Sequence, residues 1–292
     1  MPELPEVQTV VSDLKSKILQ QKIINVQVLF SKIFVLEPAQ IINQTIIDVL
    51  RRGKYILIKL SNGYLVVHLR MTGRFFVASK KSSKIILTPE QQKHLHVLIE
   101  LQDYLLLFQD QRKFGRMHFY QNLAWLESKL GPEPLSPDFT ISYLSQICKS
   151  NRQIKALLLD QSKIAGLGNI YVDEVLWQVG VHPNTPACNI VFTKLKIMHT
   201  AIQNILQQAI AMQGTTFLSY AFDGAQKGKF LTYLKVFNRA KLPCFRCGTT
   251  IIKIKVVQRG THLCPACQPL DPLDFRKKIS LNTGRAKQVK KN

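Results

Sequence analysis

Four cysteines carry the clearest chemistry in this 292-residue sequence. Cys244 and Cys247 form one C-x-x-C pair, Cys264 and Cys267 a second, with sixteen residues between them. Two thiolates at that spacing on a tight turn can face one ion, and two such knuckles on a short hairpin complete a tetrahedral zinc site. Gly248 and the alternating stretch from Ile251 to Val257 supply the hairpin. All four ligands come from the protein and no coordination position stays open, so one structural Zn2+ is expected. Two disulfides or a redox pair are the alternative uses of the spacing. Cys148 and Cys188 have no evident partner and read as fillers of apolar space.

The chain start is the second candidate. A compact Pro2 favours removal of Met1, which would leave a secondary amine beside Glu3. An α-amino group titrates near pH ~8, so much of it is neutral and nucleophilic at neutral pH. A secondary amine in an imine-type linkage must be a cationic iminium, which draws electrons from its neighbours. Read locally, Pro2 only opens a helix, where proline is welcome.

Forty Lys and Arg against eighteen Asp and Glu give a net charge of +22. Seven of the basic residues lie in 276–292 without one acid, so the remainder still carries +15. A folded body that basic repels itself unless its partner is a polyanion, which points to nucleic acid ahead of an anionic membrane surface. The longest apolar run, Tyr104 to Phe108, is five residues, far below a membrane span. Carboxylates occupy the start where a signal peptide would be basic, so a cytoplasmic protein without a membrane partner is expected.

These groups need a scaffold. Val7, Val10, Val11, Leu14 and Ile18 recur at helical spacing within 5–19. Short strand-like runs follow at 55–60, 64–69, 74–78, 95–101, 104–108 and 116–120, several separated by turns such as Asn62-Gly63. A helix with an antiparallel sandwich or barrel is the reading. Gly131 to Pro137 is proline-rich and marks a domain boundary. Beyond it helices are expected at 141–148, 154–160 and 169–179, and along the face of Leu195, Met198, Ile202, Ile205, Leu206, Ala209 and Ile210. A glycine-containing loop spans Gly214 to Gly228, a cysteine-bearing unit begins at Val236, and the tail after Pro272 reads as disordered.

MPELPEV at 1–7, RRGKY at 51–55, HLRMTGRF at 68–75, RKFG at 112–115, GLGNIYVDE at 166–174 and QRGTHLCPACQ at 258–268 occur in that order. Together they closely resemble bacterial formamidopyrimidine-DNA glycosylase, over residues 1 to about 268. The resemblance implies an α+β multidomain protein. Its parts would be an N-terminal helix plus β-sandwich domain at 1–131, a helix-two-turns-helix domain at 132–235, a four-cysteine zinc ribbon at 236–270 and a basic tail at 271–292. It also implies a bifunctional glycosylase and abasic-site lyase, acting as a monomer on double-stranded DNA containing oxidised bases.

Residue by residue, the resemblance makes Pro2 the nucleophile on C1′ and Glu3 the acid at the sugar ring oxygen. Lys54 would contact the lesion's phosphate and assist proton transfer, and Arg259 would grip phosphate and serve the last elimination. Asn169 and Lys155 are expected near the DNA backbone, His68 and His94 in the DNA groove. Gly166 and Gly168 permit close backbone approach at a helix start whose N–H groups suit phosphate. Met71, Arg112 and Phe114 match the intercalating trio that fills the hole left by an everted nucleotide. Residues 215–229 correspond to a lid over the extruded base. Arg70, Gln111 and Asn238 depart from the family pattern, which has glycine, proline and glycine there. The alternatives are a noncatalytic zinc-ribbon DNA binder and an endonuclease VIII-type enzyme for oxidised pyrimidines.

Overall fold

The computed structural model describes residues 1–81, 89–215 and 228–270. The tail and most of the expected lid, including Gly224, lie outside the described residues.

The chain starts with α1 (Leu4–Ile18), whose apolar face (Val7, Val10, Val11, Leu14, Ile18) is buried as its spacing requires. Nine strands follow: β1 (Ile23–Val28), β2 (Phe34–Val35), β3 (Ile46–Arg52), β4 (Tyr55–Leu60), β5 (Tyr64–His68), β6 (Gly73–Ser79), then short α2 (Pro89–Lys93), β7 (Leu95–Leu101), β8 (Tyr104–Asp110) and β9 (Arg116–Tyr120). They form a four-stranded sheet, β1-β7-β8-β6, and a five-stranded sheet, β2-β9-β5-β4-β3. Alternate residues of both sheets meet in one core: Val97, Ile99, Leu106, Phe108 and Phe75 from one, Val49, Ile56, Ile58, Leu65 and Val67 from the other. The arrangement is a helix on a β-sandwich.

Two longer strands absent from the sequence reading, β1 and β3, bury residues three apart, Ile23 with Val26 and Ile46 with Val49, instead of every second one. Each has a register shift, between Ile23 and Asn25 and between Ile46 and Asp48. At each shift a side-chain oxygen, of Asn25 or of Asp48, accepts the next residue's N–H. A bulge slips the apolar set by one position; β7 is shifted too, between Leu95 and Val97, but keeps a dense apolar run that still reads as a strand.

After α3 (Ala124–Lys129) come α4 (Ile141–Ile147), α5 (Ile154–Leu158), α6 (Asn169–Val179) and α7 (Phe192–Ala211), then a hairpin of β10 (Ile252–Val256) and β11 (Arg259–Leu263). α6 ends at Gly180, whose left-handed backbone (φ 69°) returns its N–H to Leu176 and Trp177. The chain divides into two compact units, Met1–Glu133 with Leu206–Tyr233, and Pro134–Ile205 with the chain from Leu234. Cys148 is buried as expected. Cys188 is not: its thiol is exposed beside the side-chain oxygens of Asn151 and Asn189, so the apolar filler role assigned to it is corrected. No described helix is long and apolar enough to cross a membrane.

The Asn62-Gly63 turn joins β4 to β5 with Gly63 at φ +92°, and a Cβ there would stand 2.7 Å from the Tyr120 carbonyl oxygen. Backbone cannot yield as a side chain can, so Gly63→Ala should cost roughly 1–3 kcal/mol in urea unfolding. A change below about 0.3 kcal/mol would contradict this packing.

Candidate active site and nucleic-acid interface

In the first unit the chain start is held by a buried carboxylate in the first turn of α1. Glu6 Oε2 accepts the Glu3 N–H at 3.0 Å. Its Oε1 accepts the Thr215 N–H at 2.8 Å and the Thr215 hydroxyl at 3.0 Å. Gly214 permits this approach, because a Cβ there would lie 2.7 Å from Glu6 Oε1. Sequence reasoning gave Glu6 no role, although it stands inside the MPELPEV motif.

Pro2 and Glu3 are buried, while Met1, bonded to the Pro2 nitrogen, is exposed. The Met1 amino group is held below its ordinary value of 8.0. Burial is the main cause; the Lys54 and Arg112 cations push the same way, and the Glu3 and Glu6 carboxylates oppose them. An amine in these surroundings is more often neutral, hence nucleophilic, than one in water. While Met1 is present the Pro2 nitrogen is an amide, so chemistry at Pro2 requires its removal.

Lys54 is buried in the turn just before β4, and that turn is held by two ion-paired arginines. Arg51 pairs with Glu133 at 2.7 Å, and Arg52 with Glu127 at 2.9 Å and the Gly131 carbonyl at 2.9 Å. Glu133 also accepts the Gly53 N–H. The proline-rich stretch read as a boundary thus begins as a clamp on the RRGK turn.

Met71 and Phe114 are 40% and 46% exposed, which rules out a core role for either. The Arg112 guanidinium lies 4.8 Å from the Phe114 ring centre. His68 is buried against the edge of Tyr55, and its Nδ1 accepts the Arg70 N–H at 2.9 Å. A protonated ring could not accept that bond. Burial, then the Arg70 and Lys54 charges, push the His68 pKa down to about 3, so the ring is neutral at physiological pH. His94 is half-buried, at the entry to β7.

The second unit places Asn169 as the first residue of α6, its Nδ2 donating to the Gly260 carbonyl at 2.9 Å. Arg259 is exposed one residue earlier on β11, after a turn in which Val257 and Gln258 are both left-handed (φ 48° and 61°). Lys155 needs correction. Its side chain is 0% exposed, and its ammonium donates to Asp173 at 2.5 Å and to Thr261 Oγ1 at 2.8 Å. A sealed, ion-paired lysine ties α5 to α6 and β11 and has no surface to offer a phosphate. Asp173 also accepts the His262 N–H at 2.8 Å, and Glu174 accepts the backbone N–H groups of Lys235, Val236 and Phe237. The acidic pair in GLGNIYVDE is therefore structural.

Among the described residues, Cys244, Cys247, Cys264 and Cys267 are the only group of three or more metal-ligand side chains drawn together, their sulfurs within 4.8 Å of one another. Sulfur separations of 3.4 to 3.9 Å bracket the roughly 3.8 Å edge of a tetrahedron with Zn–S bonds near 2.3 Å. A disulfide needs about 2.05 Å, and all four cysteines are free. The donor set fits one structural Zn2+, whose part is to fix the hairpin. Trp177 Nε1 donates to Cys244 Sγ at 3.4 Å, and Arg246 packs over the Trp177 ring at 4.3 Å.

Three family signatures match the chain. "Formamidopyrimidine-DNA glycosylase N-terminal domain" covers residues 1–117, "Formamidopyrimidine-DNA glycosylase H2TH domain" covers 130–220, and "Zinc finger found in FPG and IleRS" covers 241–270. The formamidopyrimidine-DNA glycosylase of Protochlamydia amoebophila is 43% identical, covering 92% of this chain and 99% of that one. That of Ligilactobacillus salivarius is 41% identical over 92% and 99%. The Lactococcus lactis Fpg solved with an abasic-site-containing DNA superposes at TM-score 0.83 and 35% identity, over 92% of this chain and all of that one. The same organism's FPG (MutM) with Fapy-dG-containing DNA gives 0.82 and 34%. Fold, zinc finger and relatives define a DNA glycosylase of the helix-two-turns-helix, zinc-finger class. The chain belongs to the formamidopyrimidine-DNA glycosylase family.

The depressed His68 pKa has a stability consequence. An unfolded histidine takes up its proton as pH falls through about 6.5, while the folded ring resists until about 3. His68 therefore costs no stability above about pH 6.5 and costs increasingly more below it. Between pH 7 and pH 4 the native chain should lose about 3 kcal/mol that His68→Gln does not lose, in denaturant melts at both pH values. Equal losses in the two proteins would show that the ring is not held neutral.

Proposed function

We propose that this chain excises oxidised purines, 8-oxoguanine and formamidopyrimidines, from double-stranded DNA and then cleaves the strand at the emptied site. The observation that carries this is the buried Pro2–Glu3 start of the chain, held in place by Glu6, with Lys54 and Arg112 close enough to act on the charge of the chain end. Solved relatives bound to Fapy-dG-containing and abasic-site-containing DNA support the substrate class.

In this reading Met1 is removed and the Pro2 nitrogen lone pair attacks C1′ of an everted nucleotide. The glycosidic bond breaks and the base leaves with its electron pair. Glu3 delivers a proton to the ring oxygen as the sugar opens, leaving an iminium between Pro2 and C1′. Loss of a proton from C2′ expels the 3′ phosphate, and a second elimination expels the 5′ phosphate. Water then hydrolyses the iminium and returns the amine. Lys54 assists proton transfer at the lesion's phosphate, and Arg259 holds phosphate through the second elimination. Asn169 contacts the DNA backbone, with His68 and His94 in the groove. Met71 fills the vacated stack, Phe114 wedges a base step, and Arg112 offers donors to the orphaned base. The functional parts are 1–131, 132–235, 236–270 and the basic tail 271–292, in a monomeric, cytoplasmic, DNA-associated enzyme.

Borohydride should trap a covalent adduct on duplex DNA containing 8-oxoguanine, and the adduct should vanish in Pro2→Gly or when an uncleaved N-terminal tag keeps the Pro2 nitrogen an amide. No adduct with any oxidised base would leave a noncatalytic binder, and faster excision of 5-hydroxycytosine than of 8-oxoguanine would favour the pyrimidine-directed alternative.

Truncation after Asp271 removes a run of cations and should make the dependence of log K on log salt shallower on undamaged duplex. An unchanged slope would remove the tail from DNA binding.

A further inference from the structure

Met71 and the pair Arg112 and Phe114 lie on different loops, one after β5 and one after β8. Filling one vacancy in a base stack requires those loops to keep a fixed spacing. The residue between them is Asp110, the last of β8, with 0% of its surface exposed. Its Oδ1 accepts the Thr72 hydroxyl in a short hydrogen bond and the Arg112 N–H at 3.1 Å. Its Oδ2 accepts the Gly115 N–H at 2.7 Å. Its carbonyl oxygen meets His96 Nε2 at 2.9 Å and accepts the Lys113 N–H at 3.2 Å. Thr72 Oγ1 closes the ring by accepting the Arg112 N–H at 3.1 Å.

The loops are also seated on one ring. A Cβ on Gly73 would stand 2.8 Å from Phe108 Cζ, and one on Gly115 would stand 2.7 Å from the same atom. Each loop contains a left-handed residue, Arg70 (φ 54°) and Lys113 (φ 57°), a conformation that side chains resist unless the surroundings impose it.

We infer that Asp110 is a positioning residue for base eversion: its carboxylate, bridging Thr72, Arg112 and Gly115, holds the Met71 loop and the Arg112–Phe114 loop in the register that one everted nucleotide requires. The inference rests on the wedge reading of Met71, Arg112 and Phe114 proposed above. Asp110 touches no substrate. Its effect falls on the step in which a stacked base leaves the duplex, and far less on chemistry at a site that has no base to extract.

The test compares two duplexes under single turnover, one with 8-oxoguanine and one with a preformed abasic site, using the full chain with Met1 removed and zinc bound. Asp110→Asn keeps the shape but turns an N–H donor toward groups that are themselves donors. Excision of 8-oxoguanine should slow on the order of 10- to 100-fold, with strand cleavage at the abasic site within about threefold. The fluorescence rise of 2-aminopurine beside the lesion should slow in parallel with excision. Thr72→Val, which removes one donor isosterically, should show the same selectivity more weakly and serves if Asp110→Asn does not fold. Equal slowing on both duplexes, or none on either, overturns the inference. Met71→Ala separates it from the reading beneath it. If Met71→Ala leaves 8-oxoguanine excision unchanged, the wedge reading fails; if Met71→Ala slows excision and Asp110→Asn does not, only the positioning role fails.

Discussion

The end of a chain is the hardest place to hold a reactive group, because covalent structure restrains it from one side only. Here the restraint comes from Glu6, in the first turn of α1, which reaches back to the Glu3 N–H and across to both donors of Thr215. The carboxylate is satisfied by three donors, so burying it is tolerable and removing it would orphan all three. The same group places negative charge near the terminal amine, where it offsets part of the effect of burial and of Lys54 and Arg112. Glu6 thus fixes the position of the chain start and, after burial and Glu3, also bears on its proton affinity.

The pattern extends through both units. In a chain of net charge +22, acids are scarce, and several of them lie inside fixing backbone. Asp110 bridges two loops, Asp173 and Glu174 anchor the chain to α6, and Glu133 clamps the RRGK turn. A buried carboxylate that accepts N–H donors imposes a geometry that apolar packing, being non-directional, does not. Consuming acids internally also leaves the surface more uniformly cationic than composition alone requires, which favours a polyanionic partner.

What could be read beforehand divides along the same line. Periodicity located α1 and α7, which bury one face, and dense apolar runs located α6 and strands such as β4 and β7. Both signals missed β1 and β3, where buried residues fall three apart. The cysteine spacing led to the zinc finger because four ligands on two knuckles have few other geometries. Glu6 and Asp110 were not legible as functional: their partners, Thr215 and Thr72, are set by tertiary structure, at separations of 209 and 38 residues. Lys155 was expected near the DNA backbone through the resemblance, and its burial was not legible because Asp173 and Thr261 are brought around it by tertiary structure.

Two positions hold a conformation that most side chains resist. Arg70 and Asn238 both adopt the left-handed backbone that glycine reaches without strain (φ 54° and 57°). Asparagine tolerates this conformation well; for arginine it costs about 1–2 kcal/mol, which neighbouring contacts must offset. At Arg70 those contacts are visible, with His68 Nδ1 accepting its N–H and Leu69 O accepting the Gly73 N–H two positions after Met71. These bonds fix the backbone on both sides of Met71. The Arg70 guanidinium adds to burial in holding the His68 pKa down, and at Tyr55 it offsets part of the rise that burial causes. A cation next to the exposed Met71 adds to the attraction that a basic surface exerts on a phosphate backbone.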